Sequence, residues 1–208
     1  MLAEVPSHVT VAAAAKTRTP GEIMEAIEAG IRIIGENYVQ ETEAARPAVT
    51  LPAAWHCIGH LQKNKARKAV SLFDMIETVD SLELAAEIDR RCAQAGKAMP
   101  VLIEVNSGRE AQKSGVFPER AEELARSVAG LASVRLCGLM TMGSVGCGSG
   151  VYRNCFRETK QLFDHLNKLD IPGVSMEILS MGMTDSYRIA IEEGATLIRI
   201  GSLIFGPR

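Results

Sequence analysis

Aromatic residues are scarce in this chain: phenylalanine, tyrosine and tryptophan make up 4% of its 208 residues. Surfaces that grip single-stranded nucleic acid stack bases on such rings, so the composition speaks against one. A net charge of one sign is also missing. Lysine and arginine number 23 against 25 aspartates and glutamates, a formal charge of −2, so no overall basic field draws the chain to nucleic acid or to a membrane. No apolar run approaches the roughly 20 residues of a bilayer span. The opening MLAEVPSHVT lacks a basic stretch followed by an apolar one, and no signal peptide is expected. Cys57, Cys92, Cys137, Cys147 and Cys155 are odd in number and scattered, with no C-x-x-C. That pattern suits neither a disulfide framework nor a zinc site, and it points to free thiols in a reducing cytoplasm.

What is present is alternation. Apolar residues make up 47% of the chain, enough for a substantial core. Short apolar runs rich in Val and Ile are followed, again and again, by segments of helical spacing. Eight strands are expected: His8–Lys16, Arg32–Asn37, Ala54–Gly59, Met75–Asp80, Met99–Ser107, Val134–Met142, Ser175–Met181 and Leu197–Phe205. Their continuous apolar character fits strands buried on both faces of a parallel sheet. Seven helices are expected between them: Pro20–Ala29, Val39–Ala45, Gln62–Leu72, Ser81–Ala95, Pro118–Ala129, Tyr152–Leu169 and Asp185–Glu193. Gly30, Gly96, Gly130 and Gly194 stand directly after four of them as stop signals. Strand and helix alternating throughout implies parallel βαβ units. The expected fold is α/β, a single (β/α)8 TIM barrel over residues 1–208, with a doubly wound open sheet as the alternative. No helix is expected before strand one or after strand eight. The loop at 143–150, GSVGCGSG, is expected to be flexible.

In such a barrel the chemistry lies at the C-terminal ends of the strands, and phosphate is often held after strands seven and eight. Strand one ends in VAAAAKT. Lys16 follows four alanines that leave room beside it, and an amine in an apolar setting can act as a Schiff-base nucleophile. The bland alternative is a lysine that merely snorkels to solvent. Strand seven ends in ILSMGMTDS. Ser180 and Thr184 offer hydroxyls, Gly182 permits close backbone approach, and Thr184 or Asp185 is expected to cap a helix. Strand eight reads LIRIGSLIFG. Arg199 there needs a buried acceptor, which is either a ligand or an acidic residue inside the barrel. Gly201 and Ser202 follow it as donors. Together these parts fit a phosphorylated carbonyl compound. Pyridoxal 5'-phosphate (PLP) is one such compound; a sugar phosphate in a lysine-dependent aldolase is another.

Weaker signals surround this set. Asn37, in GENYVQE, could bond a ring substituent. His56 and His60 stand four apart but span a strand end and a loop, so His60 reads as a wall residue and not as a metal ligand. Lys63, Lys65, Arg67 and Lys68 read as a solvated helix face. Lys113 could add positive potential at the mouth.

The segments AAKTRTP, GENYVQE, WHCIGHLQKNK, TVDS, VLIEVNSG, KSG, GLMTMG, ILSMGMTDS and RIGSLIFGPR, in order from about Val11 to Arg208, resemble the pyridoxal-phosphate homeostasis family (the YggS/PROSC group). The resemblance implies a fold-type III PLP barrel like the N-terminal domain of alanine racemase. It implies that Lys16 carries PLP as a Schiff base and that Arg199 approaches the pyridine nitrogen. Ser180, Gly201 and Ser202 would hold the phosphate, with Thr184 nearby. The implied role is PLP homeostasis or delivery, with PLP-dependent apoenzymes as recipients. The sequence departs from the family at Ala15, where Ser is usual, at Arg18, where a second lysine is usual, and in the apparent lack of a helix before strand one.

Chemistry favours a carrier over an enzyme. An arginine beside the pyridine nitrogen disfavours protonating the ring, which leaves a poorer electron sink. Racemisation also needs a second acid–base group facing Lys16, and none of Tyr38, Tyr152 and Tyr187 has an evident claim to that role. A PLP-dependent amino-acid racemase and a PLP-free Schiff-base aldolase remain the alternatives.

Overall fold

The alternating pattern closes on itself. The computed structural model describes residues 4–143 and 148–207, and its eight parallel strands form a closed barrel in sequence order. The strands are β1 (Thr10–Ala14), β2 (Ile33–Glu36), β3 (Ala54–Cys57), β4 (Met75–Val79), β5 (Met99–Glu104), β6 (Val134–Thr141), β7 (Val174–Met181) and β8 (Leu197–Ile200). The helices are α1 (Pro20–Glu28), α2 (Val39–Ala45), α3 (Ala66–Leu72), α4 (Leu82–Gln94), α5 (Pro118–Ala129), α6 (Ser149–Lys168), α7 (Tyr187–Glu192) and α8 (Ser202–Phe205). Closure is made by β1 against β8, with Ala12 opposite Arg199 and Ala13 opposite Ile200.

Local chemistry sets several boundaries. Thr19 caps α1 in a reciprocal capping box with Glu22, and Pro20 occupies the first turn. Ser81 accepts the Leu84 N–H at the start of α4. Three expectations need correction. Strand eight stops at Ile200 and not at Phe205, and a helical turn does follow it: the N–H groups of Ile204 and Phe205 both donate to the Gly201 carbonyl, at 2.9 and 3.0 Å. A short apolar run such as LIF suits a strand or a buried helix equally, so periodicity could not separate them. The helix after strand seven begins at Tyr187 with Ser186 in the cap position, because residues 183–186 form a turn in which Met183 N–H donates to Ser186 Oγ at 3.1 Å. The segment from Gln62 opens with a 3-10 turn at Lys63–Lys65 before α3. Cys147 and the 144–147 part of the glycine loop lie outside the described residues.

Two apolar layers result. The larger lies between sheet and helices and includes Ile34, Val101, Ile103, Ile198 and Ile200. The smaller, made of Met75, Leu102, Cys137 and Met140, plugs the barrel interior. Above that plug the inward residues turn polar: His56, Glu77, Ser180 and Arg199 are all buried. The β1–β8 seam is covered in part by Val5, Ile204 and Phe205, which pack against the core. Gly138 in β6 is required for the register shift there, since a Cβ would lie 1.8 Å from the Ile178 carbonyl oxygen. No helix among the described residues is long and apolar enough to cross a membrane.

Candidate functional site

Lys16 stands two residues beyond the end of β1, partly buried, in a turn closed by the Arg18 N–H donating to the Ala15 carbonyl at 2.9 Å. Thr17 in that turn has φ +66°, left-handed and costly for a β-branched residue. Its N–H donates to Glu41 Oε2 of α2 at 3.1 Å, which helps to hold the turn. Arg18 reaches the other end of the chain: it donates to the Gly206 carbonyl at 3.0 Å and lies over the Phe205 ring. Both contacts fix where β1 delivers its lysine.

A cavity of about 190 Å³ opens at this place, lined by Lys16, Arg18, Thr184, Arg199, Gly201 and Ser202, together with Ala14, Met183, Asp185 and Gly206. Of the residues singled out in the sequence, it unites Lys16, Thr184, Arg199, Gly201 and Ser202. Ser202 Oγ donates to Thr184 Oγ1 at 3.1 Å, so the two hydroxyls converge from the loops after β7 and β8.

The other candidates lie elsewhere. Ser180 is fully buried beneath the mouth, where its hydroxyl donates to Glu77 Oε2 at 2.6 Å and accepts from Arg199 at 2.5 Å. Gly182 makes room for a helix: a Cβ there would meet Ala190 Cβ at 2.5 Å. Asn37 and His60 line a separate cavity at the ends of β2, β3, β5 and β6. His60 is half exposed, between Ser114 Oγ at 3.0 Å and Asp80 Oδ2 at 3.4 Å. His56 points into the barrel, its Nδ1 2.7 Å from Glu77 Oε1. Lys113 Nζ donates to Glu110 Oε1 at 2.6 Å and to the Gly143 carbonyl at 3.3 Å.

The interior network escaped the sequence reading. Arg199 donates to Ser180 Oγ and to the Thr141 carbonyl at 2.8 Å, with Glu77 Oε2 at 3.9 Å. Burial alone would raise the Glu77 carboxyl, but the His56 bond and the charges of His56 and Arg199 hold it below the ordinary carboxylate range. Burial pulls the Arg199 guanidinium down, and Glu77 and Glu104 pull it back. A charged residue in the middle of the buried run MIETV was the available signal, since a carboxylate there needs a partner. The sequence had offered two acceptors for Arg199, a ligand or an acidic side chain; the fold gives it the acidic one while leaving it on the cavity wall.

Two further carboxyls are buried without such help. Glu36, at the end of β2, is pushed up to about 8 by burial and by Glu41. Glu104, at the end of β5, is pushed up to about 7 by burial and by Asp80, against the opposing charge of Arg199. The Oε2 atom of each is buried without a hydrogen-bond partner.

The donor set of the Lys16 cavity fits a phosphorylated aldehyde: a primary amine at one end, two converging hydroxyls beside a glycine at the other, and a guanidinium as floor. A parallel eight-stranded barrel with this mouth is a barrel of the alanine racemase N-terminal domain class, and that family's model matches residues 5–208. The chain is 39% identical over 196 residues to the pyridoxal phosphate homeostasis protein of Aquifex aeolicus, covering 94% of this chain and 85% of that one. Two structures of PipY from Synechococcus elongatus superpose on 99% of this chain and 96% of theirs. The one without PLP has a TM-score of 0.93 at 34% identity; the one with PLP bound has 0.91 at 32%. The chain belongs to the pyridoxal phosphate homeostasis protein family.

Proposed function

We propose that this protein binds PLP in the cavity after β1, β7 and β8 and serves in PLP homeostasis, holding the cofactor and releasing it to apoenzymes. One observation carries the reading: Lys16 from the first strand and Arg199, Gly201 and Ser202 from the last line the same cavity, although almost the whole chain separates them. PLP supplies an aldehyde that an amine can capture and a phosphate that hydroxyls can grip. Lys16 provides the amine as a Schiff-base partner, placed by the Thr17 turn. Thr184 and Ser202 bring their hydroxyls to the anionic end from two loops. Arg199, on the wall of this cavity, would face the ring nitrogen with its positive charge. The Ser180 hydroxyl and the Thr141 carbonyl hold its guanidinium in one orientation. A cation at that nitrogen opposes its protonation, which suits storage better than carbanion chemistry. Ser180 acts here through Arg199 and not on the phosphate, because its hydroxyl is already committed to Glu77. Four described cysteines are free and buried, consistent with work in the cytoplasm.

Absorption spectroscopy tests this. Protein incubated with PLP should gain a visible band; borohydride reduction and peptide mapping should then place a pyridoxyl group on the Lys16 peptide. Lys16→Ala protein should show neither. An unchanged band in that variant refutes the assignment.

A further inference from the structure

Arg18 lines the Lys16 cavity, yet the proposed function gives it no task. Its guanidinium is engaged at three points. Nη1 donates to Glu22 Oε1 at 3.0 Å, Nη2 donates to the Gly206 carbonyl at 3.0 Å, and the guanidinium carbon lies 5.4 Å from the centroid of the Phe205 ring. The side chain is only 15% exposed. An arginine spent on a carboxylate, a carbonyl and a ring face is a fastening and not an open anion site.

What it fastens is anchored on both sides. Glu22 Oε2 accepts from the Thr19 N–H at 2.8 Å and from the Thr19 hydroxyl at 2.9 Å, which pins Glu22 to the first turn of α1. The Arg18 N–H itself closes the Lys16 turn on the Ala15 carbonyl. On the far side the Gly206 N–H donates to the Ser202 carbonyl at 3.0 Å, and the Ser202 hydroxyl meets Thr184. A run of bonds thus joins the turn that carries Lys16 to the turn that carries Ser202. The second turn needs the tie, because α8 spans only Ser202–Phe205 and a single helical turn is marginal on its own.

A ligand gripped at both ends by two segments is retained far longer than one gripped at either end, provided the segments keep a fixed separation. We propose that Arg18 is a positioning residue that supplies this condition: by tying the loop after β1 to the turn after β8 it fixes the spacing between the Lys16 amine and the Ser202 hydroxyl, and so sets how slowly PLP leaves. This rests on the PLP assignment made above and adds to it the residue that makes the two grips act as one.

Two variants of the full chain test it. Arg18→Met keeps an unbranched apolar stem and adds no amine that could capture the aldehyde. Phe205→Leu removes the ring from under the guanidinium and leaves every charge in place. Three ligands are compared: PLP, which offers both ends; pyridoxal, which lacks the phosphate; and deoxypyridoxine phosphate, which has a methyl in place of the aldehyde. Release of PLP, followed as loss of the visible band during a chase with excess deoxypyridoxine phosphate, should quicken about tenfold in both variants. Phe205→Leu protein should bind the two one-ended ligands as the native protein does, and Arg18→Met should lose more affinity for PLP than for deoxypyridoxine phosphate. Without any ligand, hydrogen exchange at the Phe205 and Gly206 amides should speed up in both. Unchanged PLP release, or unchanged exchange at those amides, overturns the proposal. Equal losses of PLP and deoxypyridoxine phosphate in Arg18→Met also overturn it, since Arg18 would then act on the anion directly. If native protein forms the band on Lys16 and the variants hold PLP as long, the tie alone is refuted; if native protein forms no band on Lys16, the PLP assignment falls and the proposal with it.

Discussion

At the scale of single residues, the protein's buried carboxyls divide by company. Glu77 has His56, Ser180 and Arg199 around it and stays ionised. Glu36 has a neighbouring acid and only the Asn37 backbone N–H as a donor, and it is raised from 4.5 to about 8. A carboxyl whose folded pKa exceeds its unfolded one costs nothing below pH 4.5, where both states are protonated. It destabilises progressively as pH rises, and the full penalty is present above pH 8. The shift corresponds to a ceiling of roughly 3–5 kcal/mol. Glu36→Gln should therefore match the native protein in thermal stability near pH 4.5 and exceed it increasingly up to pH 9. Parallel melting curves across that range would show that Glu36 carries no such penalty. The same contrast explains what the sequence disclosed at this scale. Lys16, Arg199 and Ser202 were legible because each stands at a strand end, where barrel chemistry collects. Ser180 and Gly182 stand at strand ends too, but one hydroxyl is taken by Glu77 and the other position is packed against Ala190. Linear spacing does not encode which neighbour reaches a side chain first.

At the scale of elements, every strand was found by its apolar run and most were read too long. The cause is physical. β1, β3, β5 and β8 end where the chain turns outward to build the mouth, and the first residues beyond them stay buried. Ala15, Ile58 and Val105 show this, and the LIF segment of α8 is apolar as well. α5, with Gly130 as its stop, begins and ends where expected, and so does α2, which has no such stop. Within the sheet, Gly138 permits the β6–β7 shift in register. Gly138→Ala places a methyl 1.8 Å from a carbonyl oxygen and should cost on the order of 3 kcal/mol or prevent folding, as overpacking of a rigid core does. Gly96→Ala meets nothing within 4 Å but has φ +65°, so it should cost about 1–2 kcal/mol. Urea denaturation of the two variants tests the ordering.

At the scale of the whole molecule, the barrel has no free edge, because β1 and β8 pair, so unfolding one strand exposes both neighbours. A ligand that bridges β1 and β8 should therefore stabilise the entire chain. PLP at a hundred times its dissociation constant contributes about 2.7 kcal/mol, which for a domain of this size raises the melting temperature by roughly 5–10 °C. Calorimetry should show that rise in the native protein and a much smaller one in Lys16→Ala. Equal rises would mean that the stabilising contact is not made at β1.

The β1–β8 seam also orders events in time. A nascent chain emerges from the ribosome with Lys16 early and Arg199 late, so for most of synthesis the amine has no floor beneath it and the first strand has one partner fewer than it needs. The cavity that Lys16 shares with Arg199, Gly201 and Ser202 cannot exist until translation has delivered the final strand. On the proposed assignment, premature release of a truncated polypeptide would thus yield the Schiff-base lysine without the groups that hold the phosphate.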